Sequence, residues 1–114
     1  MACSTCKVVK QSSIQEIQFG FGGGFTGAIS TYTLHKNGTL SAKDMKDIKL
    51  SCDSLSAIFE MAEQLPKQNF IRPDNTYSFV RILYQNDTYY YAWSWGDLPN
   101  QKVIKLYLKL NNQL

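Results

Sequence analysis

Thiol and imidazole chemistry in this 114-residue chain rests on four side chains, Cys3, Cys6, Cys52 and the single histidine His35. Cys3-Ser4-Thr5-Cys6 has the C-x-x-C spacing of redox centres and of half a zinc site. A redox motif, however, needs a strand before it and a helix after it, and a structural zinc needs two further ligands. An odd cysteine is left over from any disulfide pairing, so no closed disulfide framework is expected. Residues 1–13 are polar and without period, and read as a flexible amino-terminal tail. Cys52 stands just ahead of an expected helix, whose amino terminus would lower a thiol's pKa, so it is a candidate nucleophile with His35 as its base. A small hydrolase or transferase using that pair is one reading; a buried structural thiol is the plainer one. Serine catalysis has no G-x-S-x-G elbow and would again depend on His35.

Gly22-Gly23-Gly24-Phe25-Thr26-Gly27 matches the letters G-x-G-x-x-G. A dinucleotide site needs those glycines between a strand and a helix, whereas the segment that follows here reads as a strand. A kinase-type loop does join two strands, but nothing resembles H-R-D or D-F-G. The glycines therefore read as a bend that other residues would not tolerate. Glu60 with Glu63, and Asp44 with Asp47 among lysines, look like solvated charges without the desolvation that makes a general acid. Asn37-Gly38-Thr39 and Asn86-Asp87-Thr88 are sequons in form and turn residues in preference. No metal or other cofactor is expected.

Aromatic residues make up 13% of the chain, and in the run Tyr89 to Trp95 they alternate. Most must join a sheet to helices; those beside the glycine bend are free to recognise something. The net charge is +3 with the basic residues dispersed, and Arg72 and Arg81 are the only arginines, which argues against nucleic acid as a partner. No run approaches the roughly 18 apolar residues of a transmembrane segment.

The elements that would position these residues follow from periodicity. Ile17, Phe19 and Phe21 alternate as a first strand, broken at Gly22-Gly23-Gly24, and a second is read over 27–34. Lys36-Asn37-Gly38 signals a hairpin; a three-residue loop places Leu34 opposite Leu40 and Tyr32 opposite Ala42. A strand over 47–50 is left open. Asp53 and Ser54 cap a helix carrying Leu55, Ile58, Phe59, Ala62 and Leu65, which Pro66 stops. Strands over 77–84 and 89–95 pair so that Val80, Ile82 and Tyr84 lie near Trp93, Tyr91 and Tyr89. Residues 102–112 fit a strand or a helix, and the gathering of Lys102, Lys105 and Lys109 on one side, with Asp97 and Pro99 to open it, favours a helix. The expectation is one α+β domain over 14–114, with two helices on one face of an antiparallel sheet of about five strands, in the order β-β-β-α-β-β-α.

The stretch from Phe19 to Leu40, with its glycine break, Tyr32-Thr33-Leu34 and the Asn37-Gly38-Thr39 turn, resembles uncharacterised small β-rich domains of Bacteroidetes lipoproteins. The resemblance implies a small cell-envelope domain and carries no catalytic residues. Met1-Ala2-Cys3-Ser4 likewise resembles the end of a lipoprotein signal, in which Cys3 would take the lipid and serve as an anchor. No apolar segment precedes Cys3, so that route needs an upstream segment, and without one the expected location is cytoplasmic. Taken together, the chain reads as a non-enzymatic binding or interaction module for an unknown protein or small-molecule partner. The expected contact residues are Phe21, Gly22, Gly23, Gly24, Phe25, Trp93 and Trp95. A protein inhibitor of another enzyme is a further alternative.

Overall fold

Apolar residues at every second position of a strand put one face toward a core, and in Ile14–Gly23 (β1) that face carries Ile17, Phe19 and Phe21. A register shift between Ile14 and Glu16 turns Ile14 inward as well. The computed structural model describes residues 6–24 and 27–114. A short helix, Lys7–Gln11 (α1), precedes β1. After it come β2 (Ile29–His35), β3 (Thr39–Ala42), β4 (Met45–Lys49) and the helix α2 (Cys52–Glu63). The chain closes with β5 (Phe70–Arg72), β6 (Thr76–Tyr84), β7 (Thr88–Trp93) and α3 (Gln101–Asn111).

All seven strands form one sheet in the order β4-β3-β2-β1-β6-β7-β5. Every neighbouring pair is antiparallel except β5 with β7, which run parallel, so the sheet is mixed. The expectation of about five antiparallel strands and two helices is thus corrected to seven strands and three helices among the described residues. The α+β class stands, with a larger sheet. β4 escapes a pattern search because charged Lys46, Asp47 and Lys49 dilute its alternation, and β5 is too short to show any period. Register is as expected at the first hairpin, where Leu34 faces Leu40 and Tyr32 faces Ala42. At the second it is two residues out: Val80 faces Tyr91 and Ile82 faces Tyr89, while Ser78 meets Trp93. The shift of two keeps every side chain on its expected face.

The three helices share one core with one face of the sheet. Val9 from α1, Leu55, Ile58, Phe59 and Ala62 from α2, and Val103, Leu106 and Leu110 from α3 pack with residues such as Phe19, Val80 and Tyr91. Ser51 caps α2 by accepting from Ser54 N at 3.2 Å, and Asn100 caps α3 by accepting from Lys102 N at 2.8 Å. Both caps lie off the residues proposed from sequence, by two or three positions. None of the described helices is long and apolar enough to cross a membrane.

The amino-terminal tail needs the largest correction. Cys6 and Cys52 form a disulfide with Cα atoms 5.3 Å apart, linking the start of α1 to the first turn of α2 across 46 residues. Beyond it Val9 is buried, and Ser12 Oγ donates to Glu63 Oε2 at 2.5 Å. Residues 7–11 are therefore helix held against the core rather than free tail.

The opposite face of the sheet carries a second small cluster. Phe79 is buried there, with Tyr77 and Tyr90 beside it at ring-centroid distances of 6.4 and 6.1 Å. The Arg81 guanidinium lies over Phe79 and Tyr90, 5.5 and 4.7 Å from their centroids, and Nη1 donates to Gln18 Oε1 at 2.7 Å. Gly20 permits this packing: a Cβ there would lie 1.8 Å from Ser30 O.

Candidate functional site

The site grows out of a change in side-chain size along the helix-facing side of the sheet. Cross-strand register arranges that face in rows of four. One row runs Leu34, Ile17, Ile82, Tyr89, and the next Tyr32, Phe19, Val80, Tyr91. Both rows are large and pack beneath the helices. The third row runs Ser30, Phe21, Ser78, Trp93. Two serines where the other rows carry large apolar or aromatic side chains leave volume unfilled, because neighbouring strands hold the backbone at fixed spacing and cannot collapse into it.

That volume is a cleft of about 630 Å³. The third row forms its floor, and Ile104, Tyr107 and Leu108 of α3 form one wall. Trp93 meets Tyr107 edge to face, with centroids 5.2 Å apart and planes at 82°, which locks the floor to that wall. A further wall is the segment after β7, through Ser94, Trp95 and Leu98. The end is closed by Gly22, Gly23, Ala28, Thr76 and Tyr77.

The glycines at that end fit where other residues would not. Gly23 has φ +93°, and a Cβ on it would lie 1.8 Å from Asn75 O, so strand β1 and the segment before β6 can meet only without a side chain there. Gly24 N donates to Asn75 O at 2.7 Å and continues the contact. The strand accordingly runs on to Gly23 and does not break at Gly22.

Of the contact residues proposed from sequence, Phe21, Gly22, Gly23, Trp93 and Trp95 come together on this cleft. Gly24 is the next residue along, and Phe25 and Cys3 lie outside the described residues. Sequence reasoning missed Ser30, Ser78 and the α3 wall. Their signal was present in the alternation, as small residues at inward positions of strands otherwise filled with large ones.

The chemistry available in the cleft is that of apolar surface and hydroxyl groups. Its described lining contains no Asp, Glu, His, Lys, Arg or Cys. Polar side chains come from Ser30, Thr76, Ser78 and Ser94; Tyr107 belongs to the α3 wall, and Tyr77 borders the closed end with its ring beside Phe79. Ser94 is committed elsewhere: its Oγ donates to Thr76 O at 2.5 Å and accepts from Asp74 N at 2.7 Å. Such a lining can hold and orient a molecule, but it has no side chain to move protons at neutral pH.

Elsewhere the candidate catalytic residues separate. Cys52 is bonded to Cys6, so the nucleophile reading fails for the folded, oxidised protein, as does a free buried thiol. His35 sits on the open face of the sheet, its Nε2 3.0 Å from Ser41 Oγ and its Nδ1 3.8 Å from Glu16 Oε1. The order Ser-His-Glu has the connectivity of a hydrolytic triad, but it lies outside the cleft, on a sheet face where Ser41 is held in the β2–β3 pair. No group of three or more metal-ligating side chains occurs among the described residues.

The strongest pKa perturbation is likewise structural. Burial, reinforced by Tyr84 and Tyr89, pushes the Tyr91 hydroxyl up to about 12. That hydroxyl donates to Pro66 O at 2.5 Å, joining β7 to the end of the α2 segment. Compared with known protein families and with curated proteins, the chain matches none.

Proposed function

We propose that the protein is a non-enzymatic binding module that takes a small, neutral, largely apolar molecule into the cleft beside α3. One observation carries the reading. Among the described residues, four of the eight large hydrophobic side chains left exposed, Phe21, Trp95, Leu98 and Leu108, gather on this cleft. Clustered apolar exposure around a concavity marks a binding surface, whereas isolated exposed side chains do not. The volume falls within the roughly 300–1,000 Å³ of small-molecule sites. A charged ligand would find no counter-ion among the lining residues, and burying it there would cost several kcal/mol or more. The serine hydroxyls suit one or two polar groups on an otherwise apolar body.

The Cys6–Cys52 bridge supports residence in an oxidising compartment, as does the resemblance to envelope domains, since such bonds persist outside the reducing cytosol. Attachment through Cys3 is a separate proposal resting on residues 1–4 alone.

Titration with the neutral fluorophore N-phenyl-1-naphthylamine tests the reading. We expect saturable binding at one molecule per chain, weakened by Phe21→Ala and by Leu108→Ala, with circular dichroism unchanged. Binding that does not saturate, or that both variants leave intact, would overturn it.

A further inference from the structure

Trp95 combines two properties that seldom coincide. Its side chain lines the cleft, yet it is 92% exposed, more than any other large hydrophobic residue among those described. An indole so placed gains almost nothing from packing in the fold itself.

The backbone around it is held on both sides. Ser94 is clamped through its hydroxyl to the segment before β6, and Asp97 N donates back to Ser94 O at 3.1 Å. Asp97 Oδ2 also lies 3.8 Å from Arg72 Nε on β5. Between these fixed points Gly96 has no side chain and nothing within 4 Å of where one would be. The indole can therefore turn about its own side-chain bonds, with small backbone adjustment at Gly96, while its attachment to the end of β7 stays in place.

We propose that Trp95 is the movable wall of the cleft, closing over a bound ligand and selecting ligands that carry a ring. This rests on the cleft being the binding site. Phe21 and Trp93 on the floor and Tyr107 on α3 already present rings, so a ring-bearing ligand offers each of them edge-to-face or offset stacking. Trp95 completes the enclosure by stacking from the solvent side, which turns an exposed apolar surface into a buried one only when a ligand is present. The neighbouring Leu98 offers area but no such geometry.

The test uses the whole protein labelled with 5-fluorotryptophan and titrated with 2-naphthol, which is neutral at pH 7. The two fluorine resonances are assigned with Trp95→Phe. On binding, the Trp95 resonance should shift and lose its H2O/D2O isotope effect, and Trp95→Ala should weaken binding by roughly 3- to 10-fold with an unchanged Tm. Should only the Trp93 resonance respond and Trp95→Ala bind equally well, the closing wall is wrong while the cleft remains the site. If neither resonance moves, both this inference and the binding reading fall.

Discussion

Phe21 stands directly opposite Ser78 across the β1–β6 pair, and Ser78 in turn stands opposite Trp93 across β6–β7. A serine between two ring-bearing residues, on the face where the two adjoining rows carry bulky side chains throughout, is what opens the sheet beside α3. The candidate site is thus a deficit of side-chain volume at two positions, framed by rings on either side.

Filling that deficit should close the cleft. Ser78→Phe places a third ring in the row, at a half-buried position whose neighbours are already apolar. We expect N-phenyl-1-naphthylamine binding to fall at least tenfold while the denaturation midpoint stays the same or rises, since added apolar contact stabilises where space exists. A variant that folds and still binds would show that the ligand sits elsewhere.

Removing the bridge should loosen one end of the molecule. Replacing Cys6 and Cys52 together by Ser removes a 46-residue cross-link and is expected to cost roughly 2–4 kcal/mol in urea denaturation. Amide exchange in α1 should accelerate more than in β6, because so short a helix has little intrinsic stability once its anchor is gone. Uniform acceleration would mean that Val9 and Ser12 hold the segment without the bond.

Alkaline pH should destabilise the fold through Tyr91. Its hydroxyl ionises near pH 10 in the unfolded chain and is pushed up to about 12 in the native protein. Between those values the native state retains the proton that the unfolded state has lost, so stability falls as pH rises from 10 toward 12. Urea midpoints measured across that window should drop for the wild type and drop less for Tyr91→Phe. Identical slopes would assign the alkaline loss to other tyrosines, such as Tyr84 and Tyr90, whose pKa values are also raised by burial.

Gly20→Ala should be severely destabilising. The new methyl would meet Ser30 O at 1.8 Å in the middle of the β1–β2 pair, with the Phe79 ring 3.3 Å away. A loss of about 2–4 kcal/mol is expected from strain and displaced packing. A loss below about 0.5 kcal/mol would show that the two strands can part without disturbing Phe79.

Periodicity made the larger elements legible. Leu55 to Leu65 announced α2 by spacing alone, and the pairing of Leu34 with Leu40 followed from keeping apolar residues on one face. In α3, the lysines of 102–109 on one side of the wheel were enough to choose helix over strand. What escaped was fixed by tertiary contact rather than by local pattern. β5 exists because Phe70 to Arg72 lie along the free edge of β7, and α1 because a disulfide and Val9 secure it. Five of the seven proposed contact residues meet at the cleft, yet its depth comes from Ser30 and Ser78. An inward serine looks unremarkable until strand register shows what stands on either side of it.

The position of β1 sets an order of events for synthesis on the ribosome. It is hydrogen-bonded to β2 on one side, a partner supplied within a dozen residues, and to β6 on the other, more than fifty residues later. The bridge between Cys6 and Cys52 encloses β1 to β4, so it can close before β6 has emerged. Until then β1, whose backbone groups on that side still await β6, is an open edge on a half-built sheet, and such edges are where newly made chains stick to one another. The nascent protein is therefore most prone to sticking in the interval between completion of α2 and arrival of β6.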